Sequence, residues 1–178
     1  MRAPELASVL TGLGATHVLG IADNDTAALF DHLQAHGAPT LLPVTREGEA
    51  FAIASGLWIG GARPVVVIQN TGLLESGDSL RGTAMRMGVP LLCLIGYRGH
   101  AKMTRAGVVP SNPSGARSLQ RSELDSAALL TEPTLRAWGV PFEVLRPGAE
   151  RDTLTRAWKR AQNEHLPVAV LLTAPLGR

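Results

Sequence analysis

The run Pro64-Val65-Val66-Val67-Ile68 constrains the fold more than any other stretch of the chain. Five consecutive apolar residues, four of them β-branched, leave no polar side for solvent. A strand of this kind is buried on both faces, as in a parallel sheet with helices above and below it. Parallel neighbours need long crossover connections, and the chain supplies them. Short apolar strands are read at His17–Ile21, Thr40–Val44, Leu91–Ile95, Phe142–Leu145 and Pro167–Leu172. Between them, apolar residues recur at helical spacing, as in Leu6, Val9, Leu10 and Leu13, or Leu154, Ala157, Trp158 and Ala161. The expected fold is therefore α/β: one domain over 1–178, with about six parallel strands and helices on both faces. Gly37 and Gly139 are read as helix ends. Ser76 or Asp78 is read as a helix cap, and Thr131-Glu132-Pro133 as the opening of a later helix. Met85 and Met87 are read as core filler.

A chain of 178 residues can bury a sizeable core. Its formal charge of +2 is too small to suggest a nucleic-acid partner, and the arginines are spread rather than massed. No apolar stretch is long enough to span a membrane, and the first residues show no signal-peptide pattern. The one cysteine, Cys93, lies in a buried-strand pattern. It cannot form an internal disulfide, which fits a reducing cytoplasm.

Ligands of parallel sheets bind beyond the carboxyl ends of the strands, so the residues that follow each strand are the candidates. The second strand runs into Thr45-Arg46-Glu47-Gly48-Glu49, which places Glu47 in the first turn of a helix. Small apolar neighbours predict a dry carboxylate that holds its proton tightly. The plainer alternative is a first-turn acid stabilised by the helix dipole. Glu49 points elsewhere and is expected to be solvated or salt-bridged. Asp23 and Asn24, after the first strand, are read as helix-capping or substrate-facing groups. Gln69-Asn70-Thr71-Gly72-Leu73, after the third, is a polar turn suited either to ordinary loop chemistry or to a ligand cradle. After the fourth come Arg98 and His100. Arg98 suits a substrate anion or an intersubunit salt bridge. His100 suits proton donation to an acidic substrate, or is a surface histidine. No histidine or acid spacing suggests a metal site. Residues 101–127 lack periodicity and are expected to form a mobile loop at the rim of the site or a partner surface.

Four of these pieces together carry a resemblance. Arg46-Glu47-Gly48-Glu49-Ala50 with Ala54 and Gly56 resembles the glutamate-bearing helix of thiamine-diphosphate enzymes. Gly20-Ile21-Ala22-Asp23-Asn24 with Leu29, Gln69-Asn70-Thr71-Gly72-Leu73, and Gly96-Tyr97-Arg98-Gly99 are similar to that family's other strand-end motifs, in the same order. The nearest subgroup is the phosphonopyruvate and sulfopyruvate decarboxylases, through their pyrimidine-binding, alpha-subunit-like domain. The resemblance implies that Glu47 bonds a ring nitrogen of the cofactor's aminopyrimidine and sets its tautomer. It also implies that Asn70, Thr71, Gly72 and Leu73 meet the cofactor, and that Asp23, Asn24, Arg98 and His100 face a 2-keto acid. The family holds the diphosphate through Mg²⁺ on a second domain marked by Gly-Asp-Gly. Here Gly77-Asp78-Ser79 lacks that continuation. The expectation is a separate beta chain that supplies the metal site, in a heteromer such as two copies of each. The alternatives are a non-catalytic or regulatory subunit of the same fold, or a carboligase subunit of acetolactate-synthase type.

Overall fold

The computed structural model describes residues 1–108 and 119–178. Six strands form one sheet: β1 His17–Gly20, β2 Thr40–Pro43, β3 Pro64–Gln69, β4 Leu92–Gly96, β5 Phe142–Val144 and β6 Val168–Leu172. They are ordered β2-β1-β3-β4-β6-β5, and every neighbouring pair is parallel. The continuous apolar runs occupy the centre, where β3, β4 and β6 are buried along nearly their whole length. Alternate residues point to opposite faces. Val65 and Val67 join one core with α1 (Ala3–Gly12), α2 (Ala27–His36) and the helix Glu150–Glu164. Val66 and Ile68 join the other with α3 (Glu47–Ile59), α4 (Asn70–Glu75) and the helix Ser126–Ala137. The expected two-faced parallel sheet is what the chain forms.

Strand order places the crevice. The chain leaves β1 toward β2 through α2 on one face, and returns from β2 to β3 through α3 on the other. From β3 it continues the opposite way along the sheet, to β4. Outside the carboxyl ends of β1 and β3 the two connections therefore diverge and leave a gap.

Several local expectations change. Gly37 does end α2 in a left-handed turn, and Gly139 has a positive φ beyond the helix it follows. The stretch after Gln69 is helical, however, rather than an open polar turn. It forms α4, then a short helix α5 (Gly77–Ser79) that runs into a π-helical segment, Leu80–Met85. Neither Ser76 nor Asp78 caps it. The Ser76 hydroxyl donates back to the Leu73 carbonyl, and Asp78 pairs with Arg81 in solvent. Met85 packs against the core, whereas Met87 is exposed.

The segment 101–127 is partly regular. α6 (His100–Arg105) opens it, and α7 (Ser126–Ala137) begins at its end. The part of the expected loop at 109–118 lies outside the described residues. Pro133 does not open α7 but sits inside it, because Asp125 caps the helix earlier and accepts from Ala127 N and Ala128 N. The last helix, α8 (Glu150–Glu164), is the amphipathic one that the spacing predicts. Among the described residues no helix is long and apolar enough to cross a membrane.

Candidate functional site

Glu47 is the first residue of α3, directly beyond the carboxyl end of β2. Extended backbone at Arg46 turns the chain into the helix. Glu49 then reaches back and accepts from Thr45 N (3.0 Å), Thr45 Oγ1 (2.9 Å) and Arg46 N (3.2 Å). These donors, the Thr45 amide foremost, hold the Glu49 carboxyl below the usual range. Glu49 is thus exposed as expected, but it works as a cap.

Glu47 itself is half-buried rather than enclosed, since the α3 terminus lies at the rim of the sheet. Its carboxylate lies over α4. A Cβ built on Gly72 would stand 2.5 Å from Glu47 Oε1 and would overlap its Cγ. Only glycine leaves that space. Among the described residues no hydrogen bond or ion pair engages the Glu47 carboxylate, although the residues on both sides of it are bonded. A charge-bearing group left free at a helix N-terminus is available to a ligand.

The partner of those flanking residues is Glu75, three residues after Gly72 on α4. Its Oε1 accepts from Arg46 Nε (3.1 Å) and Nη2 (2.5 Å), and its Oε2 accepts from Gly48 N (3.0 Å). Sequence reasoning passed over Glu75. The i, i+3 relation between Gly72 and Glu75 has meaning only once that stretch is known to be helical.

A second group of residues gathers where β1, β3 and β4 end. Asp23 Oδ1 accepts from Asp25 N, Thr26 N and Thr26 Oγ1, and its Oδ2 accepts from Gln69 Nε2 (2.8 Å). Thr71 Oγ1 donates to Gln69 Oε1 (2.7 Å). Asp23 therefore orders its own loop and joins it to β3, the local bonding role that the sequence offered beside substrate contact. Asn24 is exposed beside it. Asp25, missed in the sequence, points at the same place. A Cβ on Gly96 would lie 3.1 Å from Asp23 Oδ2 and 3.6 Å from Asp25 Oδ2. Burial, and then the Asp23 charge, push the Asp25 carboxyl above its ordinary range, with Arg98 pulling the other way.

The motif after β4 is tied inward. Tyr97 is buried and donates toward Ala128 O and Glu132 Oε1, and burial raises its phenol. Arg98 Nε donates to Asp125 Oδ2 (2.9 Å), an ion pair within the chain. The rest of its guanidinium is half-exposed, in a groove of about 480 Å³ that Lys102 and Arg105 also line. His100 starts α6 and tilts against Tyr97, with ring centroids 4.8 Å apart.

Asn70 and Leu73 do not present side chains to the crevice. Leu73 belongs to the core, and any ligand contact from it would be through the main chain. Asn70 is fully buried, and its Nδ2 donates to Arg98 O (3.0 Å) and Thr131 Oγ1 (3.2 Å). Its Oδ1 is the one buried side-chain polar atom without a partner among the described residues.

The fold and this crevice define an α/β protein of the doubly wound, parallel-sheet class, with a free carboxylate beside its switch point. A family model supplies the rest. The thiamine pyrophosphate enzyme, N-terminal TPP-binding domain, matches residues 3–125, and the chain belongs to that family. Among similar proteins, the phosphonopyruvate decarboxylase of Streptomyces viridochromogenes is 34% identical over 97 residues, covering 54% of this chain and 24% of that one. The sulfopyruvate decarboxylase subunit alpha of Methanococcus maripaludis is 25% identical over 133 residues, covering 75% and 71%. The match thus spans about a quarter of the phosphonopyruvate decarboxylases but most of an alpha subunit. The crystal structure of benzoylformate decarboxylase from Polynucleobacter necessarius shares the fold. Its TM-score is 0.65 at 20% identity, over 97% of this chain and 30% of that one.

Proposed function

We propose that this chain is the pyrimidine-binding subunit of a heteromeric thiamine-diphosphate-dependent 2-keto acid decarboxylase. The observation that carries the reading is the Glu47 carboxylate, unpaired at the start of α3 and lying over Gly72 in a chain of this family.

The residues present fit one end of the cofactor. A lone carboxylate acceptor matches a ring nitrogen, and the missing side chain at Gly72 leaves open the space that the carboxylate uses. Among the described residues no group of three or more His, Cys, Asp or Glu could hold a metal. The match to most of a sulfopyruvate decarboxylase alpha subunit supports the reading that a partner chain carries the diphosphate and its Mg²⁺, in a heteromer such as two copies of each, in the cytoplasm.

When bound, thiamine diphosphate supplies the electron sink for loss of carbon dioxide. This chain's part is to hold or release a proton at the Glu47 carboxyl, within hydrogen-bond reach of the ring. Closure of a partner over the half-buried carboxylate would exclude water and strengthen that bond. Asn24, Arg98 and His100 remain the groups that meet the substrate. Three cations, Arg98, Lys102 and Arg105, line one groove with Glu123 and Asp125, and the open face of Arg98 favours an anionic acid.

Co-expression with a chain carrying Gly-Asp-Gly and a downstream asparagine tests the proposal. The purified pair is assayed for carbon dioxide release from phosphonopyruvate, sulfopyruvate and simple 2-keto acids, with and without thiamine diphosphate and Mg²⁺. Cofactor-dependent release by the pair, and none by either chain alone, is the expected result. Failure of the two chains to associate would refute the heteromer. A stable pair that binds no thiamine diphosphate would support the non-catalytic alternative.

A further inference from the structure

The bonds made by Glu75 have a geometry that an incidental surface ion pair lacks. Its two oxygens hold the residue before Glu47 and the residue after it: Oε1 takes the Arg46 guanidinium, and Oε2 takes the Gly48 amide. That amide is one of the first four of α3, which have no acceptor within the helix. The close approach is built in. A Cβ on Gly48 would lie 3.2 Å from Ser79 Oγ and 3.4 Å from Glu75 Oε2, so the α3 terminus packs closely onto α4 and α5. On the same helix, one turn before Glu75, Gly72 leaves the space in which the Glu47 carboxylate rests. α4 thus grips the start of α3 twice, once around the carboxylate and once on the backbone flanking it.

We propose that Glu75 is a positioning residue for Glu47: it fixes the backbone turn from which that carboxylate projects. The inference rests on the role proposed above for Glu47. Its stability contribution is small, because the ion pair with Arg46 is solvent-exposed, with side-chain exposures of 72% and 35%. A misplacement of the carboxylate by a fraction of an ångström is instead expressed in turnover.

The test uses the full chain, alone and paired with its partner chain, in Glu75→Ala, Glu75→Gln and Asp78→Asn forms. Asp78 makes the neighbouring exposed pair with Arg81 and, among the described residues, bonds neither Arg46 nor Gly48, so it is the control. Loss of the acceptor in Glu75→Ala should speed hydrogen exchange at the Gly48 amide by about tenfold. Glu75→Gln keeps an amide oxygen for Gly48 and should restore most of the protection. In the pair, Glu75→Ala should lower kcat by about tenfold with KM unchanged, Glu75→Gln should recover most of it, and Asp78→Asn should match wild type. Unchanged Gly48 exchange in Glu75→Ala would overturn the proposal. So would faster exchange with undiminished kcat. Glu47→Gln is run alongside. Full turnover in that variant would sink the catalytic reading, while the Gly48 exchange would still report whether Glu75 holds the turn, so the two failures are told apart.

Discussion

Glu47 and Gly72 act as one unit, and each predicts a different failure. Glu47→Gln keeps the shape and removes the ionisable proton. Carbon dioxide release by the assembled pair should fall by roughly 100-fold or more, while the loss of a first-turn charge should cost stability less than about 1 kcal/mol. Steady-state turnover and thermal melts of one preparation check both. Gly72→Ala adds a methyl where the Glu47 carboxylate now lies. Turnover should fall on the order of 100-fold. The melting temperature should also fall, because the overlap with Glu47 Cγ forces a shift whose strain, about 1–3 kcal/mol, exceeds the up to about 1 kcal/mol by which alanine favours the helix over glycine. Asp25 carries a pH prediction. Burial and the Asp23 charge raise its carboxyl above the ordinary value of 3.8. The protonated form is then the better fit to the fold. Stability from this group is full below 3.8 and is lost as pH rises through the raised value. Asp25→Asn should therefore melt above wild type at pH 7 and lose that advantage at pH 3. Equal melting differences at both pH values would refute this.

At the scale of elements, the helices that follow β3 and β4 hold one another. Asp125 caps α7 and also receives Arg98, and the Arg98 carbonyl in turn receives Asn70 from the start of α4. One carboxylate therefore fixes a helix terminus and a strand-end loop together. Asp125→Ala should cost about 1 kcal/mol as a lost cap, which lowers the melting temperature by about 2–4 °C in a chain of this length. It should also free the Arg98 side chain, so KM for an anionic substrate should rise more than kcat falls. Thermal melts and a kinetic series on the variant test both statements. By contrast, Cys93 in β4 is sealed in the core, where burial pushes its thiol up to about 12. It should resist alkylation in the folded chain and react only on unfolding.

Across the whole molecule, the two cores on either side of the sheet are closed, and the crevice at the strand tips is left open. Short apolar runs alternating with helical spacing were enough to give the parallel sheet, because continuous burial and long crossovers admit few other arrangements. Helix ends marked by glycine were legible for the same local reason: Gly37 takes a conformation that other residues avoid. Cap assignments were less legible, since serine, threonine and aspartate near a helix start are interchangeable on paper. Asp125 caps its helix through local bonds from Ala127 N and Ala128 N, and the tertiary structure also brings Arg98 against it.

By itself the sequence determined the α/β class, the placement of Glu47 at a helix start beyond a strand, and the family. All three depend on local patterning and short motifs. Only the tertiary structure decided that Asn70 and Leu73 turn inward, that Asp23 is consumed by its own loop, and that Glu75 holds the residues around Glu47. Those outcomes depend on contacts between segments 27 to 61 residues apart. Hydrogen-bonding groups find their partners across such distances only once the sheet has set which strand ends are neighbours.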